Sequence, residues 1–228
     1  DWFHQAMLRG IETPIGLPEP FLGMFDFLGG GPKRAHLLRN FGFGPWWLPD
    51  DLHARFLRPV TVVTHLFDQL VGPGSAVVAH AHSIVWSAAV VGVVALLYRR
   101  LMPAVSVAGL AAVLYLLDES RGLVTGWVAN RSALVALVFG VCALLAHDAW
   151  RRRGWRWGQL LGPILLLAAL LSAESGLATT AYLFGYAIFV DDGSLRQRLV
   201  RLLPYFVVVV VWRIVYSHLG YGASGSGL

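Results

Sequence analysis

Charge is scarce in this sequence, and long runs of residues carry none at all. Only 14% of the 228 residues are charged, whereas 57% are hydrophobic. Soluble domains have about 25% charged residues, so the composition excludes an ordinary soluble globular domain. The mean hydropathy of +0.62 and the length of the apolar runs predict a protein that crosses a membrane several times.

Cysteine occurs once, as Cys142 inside an apolar run. This excludes an intrachain disulfide and a CxxC metal site. The His80–His82 pair is a weak metal signal, because side chains two residues apart on a helix do not face each other. We therefore predict no metal site from these histidines.

Lysine is nearly absent as well, since all but one of the 18 basic residues are arginine. A net charge of +5 could indicate a nucleic-acid partner, but the arginines cluster at the ends of apolar runs, which is typical of membrane topology. The loops 99–100, 151–156 and 196–201 are rich in arginine. By the positive-inside rule they face the cytoplasm, and the alternate loops 118–131 and 172–175 lie outside.

The apolar runs predict an all-α fold, a polytopic transmembrane helix bundle with about six spans. Residues 1–75 form a long extracytoplasmic loop with short interfacial helices, 76–218 form the bundle, and 219–228 form a flexible extracytoplasmic tail. Several runs are shorter than the roughly 20 residues of a perpendicular span, so flanking residues complete them or the helices end early against a cavity. The chain starts without Met, which we interpret as part of a longer protein with one more helix before residue 1. The six runs are Ala76–Tyr98, Leu101–Leu117, Ser132–His147, Gln159–Leu171, Gly176–Val190 and Leu202–Tyr216.

The segment Asp118–Arg131 (DESRGLVTGWVANR) is a polar hinge between two apolar runs. Unpaired charge in hydrocarbon is costly, so such a segment lies at an interface or lines a cavity. We predict that it faces the extracytoplasmic side and forms one wall of an active site.

Acids and arginines from four separate segments are predicted to meet at this outer face. Any one of them alone is equally well explained as a solvated loop residue, but their convergence favours a site. The predicted outer set is Asp1, His4, Arg58, His65, Asp68, Asp118, Glu119, Arg121, Arg131 and Glu174.

Two charged residues are close to or inside apolar runs. Glu174 lies in the short SAESG turn, where it is either a site residue or an acid facing the dipole of the following helix. Arg213 lies within the last apolar run. It either binds a phosphate or carboxylate, or it extends its guanidinium to the outer headgroups.

Three segments together resemble the GT-C glycosyltransferases of the protein O-mannosyltransferase and TMTC families. In those families an R-P-L segment leads into a helix, a W-x-x-(G)-R-x-x-L-L-A segment opens a later helix, and an S-K-E turn joins the next two. The resemblance covers roughly residues 56–220, and it departs from the pattern at Ala173, where Lys is usual, and at Asp118, where His-Pro is common. The matching positions are Arg58–Pro59, Trp127, Arg131, Leu134, Ser172 and Glu174, within Phe56–Gly72, Trp127–His147 and Leu170–Phe184.

The resemblance implies transfer of a sugar from a polyprenyl-phosphate donor to an acceptor outside the cytoplasm, in an integral protein of the bacterial cytoplasmic membrane. Asp1 falls where these families carry an acid that acts as general base or helps to hold a divalent metal ion. Asp118 and Glu174 become site acids, and Arg58, Arg131 and Arg213 become contacts to the donor phosphate.

Two other functions are weighed against this one. A non-catalytic relative that binds a partner protein in a larger membrane complex is suggested by Ala173 and by the aromatic-rich first segment. A transporter built on inverted repeats ranks last, because the sequence shows no internal repeat.

Overall fold

The computed structural model describes residues 21–29, 35–36, 39–40, 42, 46–47 and 49–224. This part of the chain is mostly helical, which confirms the all-α prediction. Short 3₁₀ turns at Val128–Asn130 and Glu174–Leu177 precede two of the helices. The helices are α1 (Pro59–Val71), α2 (Ala76–Leu101), α3 (Val105–Leu117), α4 (Ser120–Gly126), α5 (Arg131–Arg153), α6 (Gly158–Leu170), α7 (Ala178–Phe189), α8 (Leu195–Val200) and α9 (Leu203–His218).

Three of the described helical segments are long and apolar enough to cross a membrane: Ala76–Leu101, Val128–Arg153 and Leu195–His218. This agrees with the prediction of an integral membrane protein. α3 and α6 are apolar but have 13 residues each. Such a helix is about 20 Å long, against a hydrocarbon core of about 30 Å.

Helix α5 is the centre of the bundle, and it packs against α2, α6 and α7. Small residues bring the backbones close together. Gly140 lies against the hydroxyl of Thr179 on α7, and Gly158 of α6 lies against the carbonyl of Ala146. α5 ends at Gly154, whose φ of 67° is a left-handed conformation that glycine adopts without steric cost.

Helix α3 packs against α2. Tyr115, near the end of α3, contacts Tyr98, near the end of α2, with ring centroids 6.5 Å apart. The polar hinge then climbs along α2, with Thr125 bonded to Ser87 at 3.0 Å and Arg131 bonded to Ser83 at 3.0 Å. From Thr125 to Arg131 the hinge therefore runs along the first half of α2 towards the start of that helix.

Helix α1 docks end-on against α6. The N–H of Val60 donates to the carbonyl of Leu171 at 3.2 Å. The hydroxyl of Thr61 donates to the carbonyl of Ser172 at 2.8 Å. A helix leaves N–H groups unpaired at its start and carbonyls unpaired at its end, so this junction satisfies both. It also fixes the residue before α1, Arg58, over the turn between α6 and α7.

A small antiparallel sheet covers this end of the bundle. Its order is β1 (Asp26–Gly29), β2 (His53–Arg55) and β3 (Gly222–Ser224). β3, which pairs Ala223 with Ala54, belongs to the segment predicted as a flexible tail. Strands of three or four residues are too short for a clear alternation of apolar and polar residues, so they could not be predicted from the sequence.

The arginine-rich loops meet at the opposite end. The Nε of Arg151 donates to both oxygens of the buried Asp191 carboxylate, at 2.9 and 3.1 Å. Arg100 donates to the carbonyl of Leu145 at 3.0 Å, and Arg198 donates to the carbonyl of Ile188 at 3.1 Å. Most of these arginines therefore hold helix ends and loops together in addition to carrying charge.

Candidate functional site

A cluster of four polar residues joins four segments at the end of the bundle predicted to face outward. Arg58 donates from Nε at 3.0 Å and from Nη2 at 2.6 Å to the same oxygen, Oε2 of Glu174. The other oxygen, Oε1, accepts from the hydroxyl of Tyr216 at 3.1 Å. Nη1 of Arg58 donates to Ser132 at 3.3 Å. We call Arg58, Ser132, Glu174 and Tyr216 the Arg58 cluster.

Local structure explains how each member reaches the cluster. Arg58 precedes Pro59, which occupies the first turn of α1, where proline costs no hydrogen bond. Its guanidinium stacks on the rings of Phe25 and Phe56, at 5.1 and 4.6 Å from their centroids. Glu174 opens the 3₁₀ turn between α6 and α7.

The Arg58 cluster is partly accessible. The side chain of Arg58 is 18% exposed and that of Glu174 is 28% exposed. A partly desolvated ion pair interacts more strongly than one in water, yet it can still exchange partners with a ligand. An anionic group that reached the cluster would compete with Glu174 for Arg58.

Arg131 lies beside the cluster but is fully buried. Its Nη1 forms an ion pair with Oδ2 of Asp68 at 2.6 Å. Its other nitrogens donate to Ser83 at 3.0 Å and to the carbonyl of Ala79 at 2.7 Å. Arg131 thus ties α5 to α1 and α2, and a direct contact to a phosphate requires one of these bonds to break.

His82 completes this buried network. The indole N–H of Trp86, which can only donate, points at Nε2 of His82 at 3.0 Å. Nε2 is therefore the acceptor, and the ring proton is on Nδ1, which donates to Asp68 at 2.6 Å. The 3.2 Å contact between Nδ1 and Arg131 is then not a hydrogen bond. His82 positions the carboxylate that holds Arg131.

An apolar cavity of about 420 Å³ lies between α2, α3, α5 and α7. One end is lined by Ser175 and Gly176, directly after Glu174. The other end is lined by Leu97 and Tyr98 near the end of α2. The lining is mostly aliphatic, with small residues on α5 that leave the space open, so the cavity suits a hydrocarbon chain.

The remaining predicted site residues are distributed differently. Asp1 and His4 lie outside the described residues. Asp118 is exposed immediately after α3. Arg213 is exposed on α9, one turn before Tyr216, and no hydrogen bond or ion pair joins its guanidinium to another described residue. The structure thus brings together Arg58 and Glu174, with Arg131 behind them and Arg213 one turn from Tyr216.

Sequence reasoning did not identify Ser132, Tyr216 or His82 as parts of this arrangement, whereas Asp68 was in the predicted outer set. Asp68 carried a usable signal, since a carboxylate inside the apolar helix THLFDQL needs a cation partner once it is buried. Ser132 and Tyr216 carried none, because single hydroxyl residues next to apolar runs are common.

Among the described residues, no group of three or more His, Cys, Asp or Glu side chains is arranged to hold a metal ion. The donor set of this part of the chain therefore does not by itself fit a divalent cation. The predicted metal contact, Asp1, lies outside it.

Comparison with known proteins gave no match to a family model, to a curated protein or to a solved structure. Fold and site together define a helical membrane protein with a polar cluster at one end. The GT-C resemblance is carried by the three sequence segments alone.

Proposed function

We propose that the chain is part of a GT-C-like membrane glycosyltransferase that transfers a sugar from a polyprenyl-phosphate donor to an acceptor on the extracytoplasmic side. The single observation that carries the proposal is that the residues directly after two members of the Arg58 cluster, Ala133 after Ser132 and Ser175 after Glu174, line an apolar cavity. A lipid-linked phosphate needs both features together, a cation for the phosphate and an apolar path for the chain. In this proposal the six apolar runs all span, the shorter ones completed by flanking residues.

Before the donor binds, the guanidinium of Arg58 is hydrogen-bonded to the carboxylate of Glu174. When the donor binds, its phosphate takes the place of Glu174 on the guanidinium, for which it is a natural bidentate partner. Glu174 stays within reach of Tyr216 as a polar site residue. Arg213, one turn away and without a protein partner among the described residues, supplies a second cation as charge develops on the leaving phosphate.

Arg131 positions residues of this site and does not contact the donor itself. Its bonds to Asp68 and Ser83 fix the start of α5, and with it Ser132, against Arg58. We assign the general base to Asp1, as the resemblance implies, and retain Asp118 as a site acid on the same basis.

Sugar transfer in membranes that contain the full-length protein tests the proposal. Labelled polyprenyl-phosphate hexoses are supplied to wild type, Arg58→Ala, Glu174→Gln and Arg213→Gln. We expect Arg58→Ala and Arg213→Gln each to lower turnover by about 10²-fold or more, the usual cost of removing one group that stabilises transition-state charge. Arg196→Gln, an exposed arginine at the opposite end, is the matched control and should retain wild-type turnover.

Absence of transfer with every donor, from protein shown to be folded, would refute the enzyme and favour the second candidate. That candidate is a non-catalytic membrane subunit. It is supported by the self-contained character of the Arg58 cluster, in which Glu174 already neutralises Arg58, and by Ala173 in place of the usual lysine. A stoichiometric complex on purification, with function unchanged in Asp1→Asn, would establish it.

A further inference from the structure

A second apolar feature starts at the arginine-rich end of the bundle, opposite the Arg58 cluster. It is a groove of about 920 Å³ between α6 and α9. Along α6 it extends from Gln159 to Leu167, which is about 12 Å of helix. The two helices are held together beside it where Gly162 contacts the buried hydroxyl of Tyr205. The groove is open on the side away from the bundle core.

The two ends of the groove differ in chemistry. Its lining is aliphatic over most of its length, including Ile164 and Val207, each about half exposed. Arg156, Trp157 and Gln159 line the end near the arginine-rich loops. Trp157 is 70% exposed, and an exposed tryptophan beside an arginine at a helix end is typical of headgroup depth.

Arg156 differs from most arginines nearby. Arg100, Arg151 and Arg198 donate to partners within the protein. The guanidinium of Arg156 makes no hydrogen bond or ion pair with any residue in the described part of the chain, and it is exposed. A cation without a partner at the head of an apolar groove is complementary to an anionic head with an acyl chain.

Pro163 adds a feature to the same end. Proline has no N–H, so the carbonyl of Gln159 cannot accept the usual helical hydrogen bond from residue 163. The backbone carbonyl of Gln159 and its side-chain amide are therefore two neutral hydrogen-bonding groups near Arg156. A phospholipid with a small hydroxylated headgroup can bind through both, with its phosphate on Arg156 and its hydroxyl groups on the neutral groups of Gln159.

We propose that the groove between α6 and α9 is a binding site for one anionic phospholipid of the leaflet at the arginine-rich end. The phosphate contacts Arg156, and one acyl chain lies along Leu160, Ile164 and Val207. This site is independent of the proposed sugar transfer, because its phosphate contact, Arg156, lies at the opposite end of the bundle from Arg58 and Glu174, and no residue of the Arg58 cluster lines the groove.

Native mass spectrometry of the full-length protein in a non-ionic detergent tests the site. The protein is titrated with phosphatidylglycerol or with phosphatidylcholine of the same acyl chains. We expect the first lipid bound to be phosphatidylglycerol, with at least fivefold preference. Arg156→Gln should lower its affinity about fivefold, the effect of removing one arginine from an anionic headgroup. Affinity for phosphatidylcholine should not change.

Two further kinds of variant separate a site from diffuse attraction. Ile164→Trp fills the exposed groove without changing charge, and it should lower the affinity for both lipids. Arg153→Gln and Arg196→Gln remove exposed arginines of the same end that do not line the groove, and each should change affinity less than twofold. Equal losses in Arg153→Gln and Arg156→Gln, equal binding of the two lipids, or no effect of Ile164→Trp in folded protein would each overturn the proposal.

Discussion

Arg131 and Asp68 form an ion pair of 2.6 Å in which the two side chains are 0% and 4% exposed. The pair is satisfied further by His82, Ser83 and the carbonyl of Ala79. A buried ion pair of this kind contributes little net stability over an apolar pair, yet breaking it leaves an uncompensated charge. Removing one charge should therefore cost much more stability than replacing both.

Arg131→Gln or Asp68→Asn alone should destabilise the protein by about 3–5 kcal/mol, because each leaves the partner charged and buried. Thermal unfolding in detergent, monitored by circular dichroism, measures the effect. The double variant Arg131→Met with Asp68→Leu should regain most of the loss. Arg213→Gln is the control, since it removes an exposed arginine that makes no hydrogen bond or ion pair within the described part of the chain. A single Asp68→Asn variant as stable as wild type would contradict the ion-pair assignment.

The Arg58–Glu174 pair should behave as a coupled unit. Arg58→Ala and Glu174→Ala each remove the same two hydrogen bonds, so their effects should not add. We expect a coupling free energy of about 1–2 kcal/mol, since the pair is partly accessible and solvent weakens it. The measurement is a double-mutant cycle on unfolding in detergent. A coupling of zero would mean that the two side chains do not interact in solution.

Gly176 should tolerate no side chain. A Cβ at this position would lie 2.7 Å from the backbone of Ala169, and backbone cannot move aside as a flexible side chain can. Gly176→Ala should therefore cost about 1–3 kcal/mol. Gly92 is the matched control, because a Cβ there meets open space within α2. Gly92→Ala should be neutral or stabilise by up to about 1 kcal/mol, and similar losses at the two positions would count against the packing around Gly176.

The orientation in the membrane can be tested with the single native cysteine removed. In a Cys142→Ala background, Ser217→Cys lies at the end that carries the Arg58 cluster, and Gln197→Cys lies on α8 at the arginine-rich end; both positions are exposed. An impermeant maleimide added to intact cells should label Ser217→Cys and should reach Gln197→Cys only after permeabilisation. The reverse pattern would invert the topology and move the Arg58 cluster to the cytoplasmic side.

Much of the architecture could be predicted because it depends on local composition. Apolar runs predict helices, and the start of α1 at Pro59 and the end of α5 at Gly154 agree with the preferences of single residues. The hinge Asp118–Arg131 could be located from its polarity between two apolar runs. The bond of its Thr125 to Ser87 on α2 could not be predicted, because no local pattern encodes which residues of two separate segments meet.

The candidate site, too, could be predicted from the sequence only in part. Arg58 and Glu174 could be proposed from the sequence because charge beside apolar runs is expensive and therefore meaningful. Their pairing could not, since it joins residues 116 positions apart. Arg131 is the clearest example of what the sequence alone could not predict. From the sequence it was a candidate to bind a ligand's phosphate, whereas the tertiary structure pairs it with residues of α1 and α2.

By itself, then, the sequence determined that this is a helical membrane protein, where its helices break and which loops carry the positive charge. All of these follow from the free-energy cost of placing charge or unpaired backbone groups in hydrocarbon. That cost depends on the local sequence of each segment and not on its neighbours in the fold. Only the tertiary structure decided which charges neutralise one another, where the hinge contacts α2, that Gly222–Ser224 joins β2, and that Ser175, directly after Glu174, lines an apolar cavity. These depend on contacts between distant segments, whose energies are set by packing geometry.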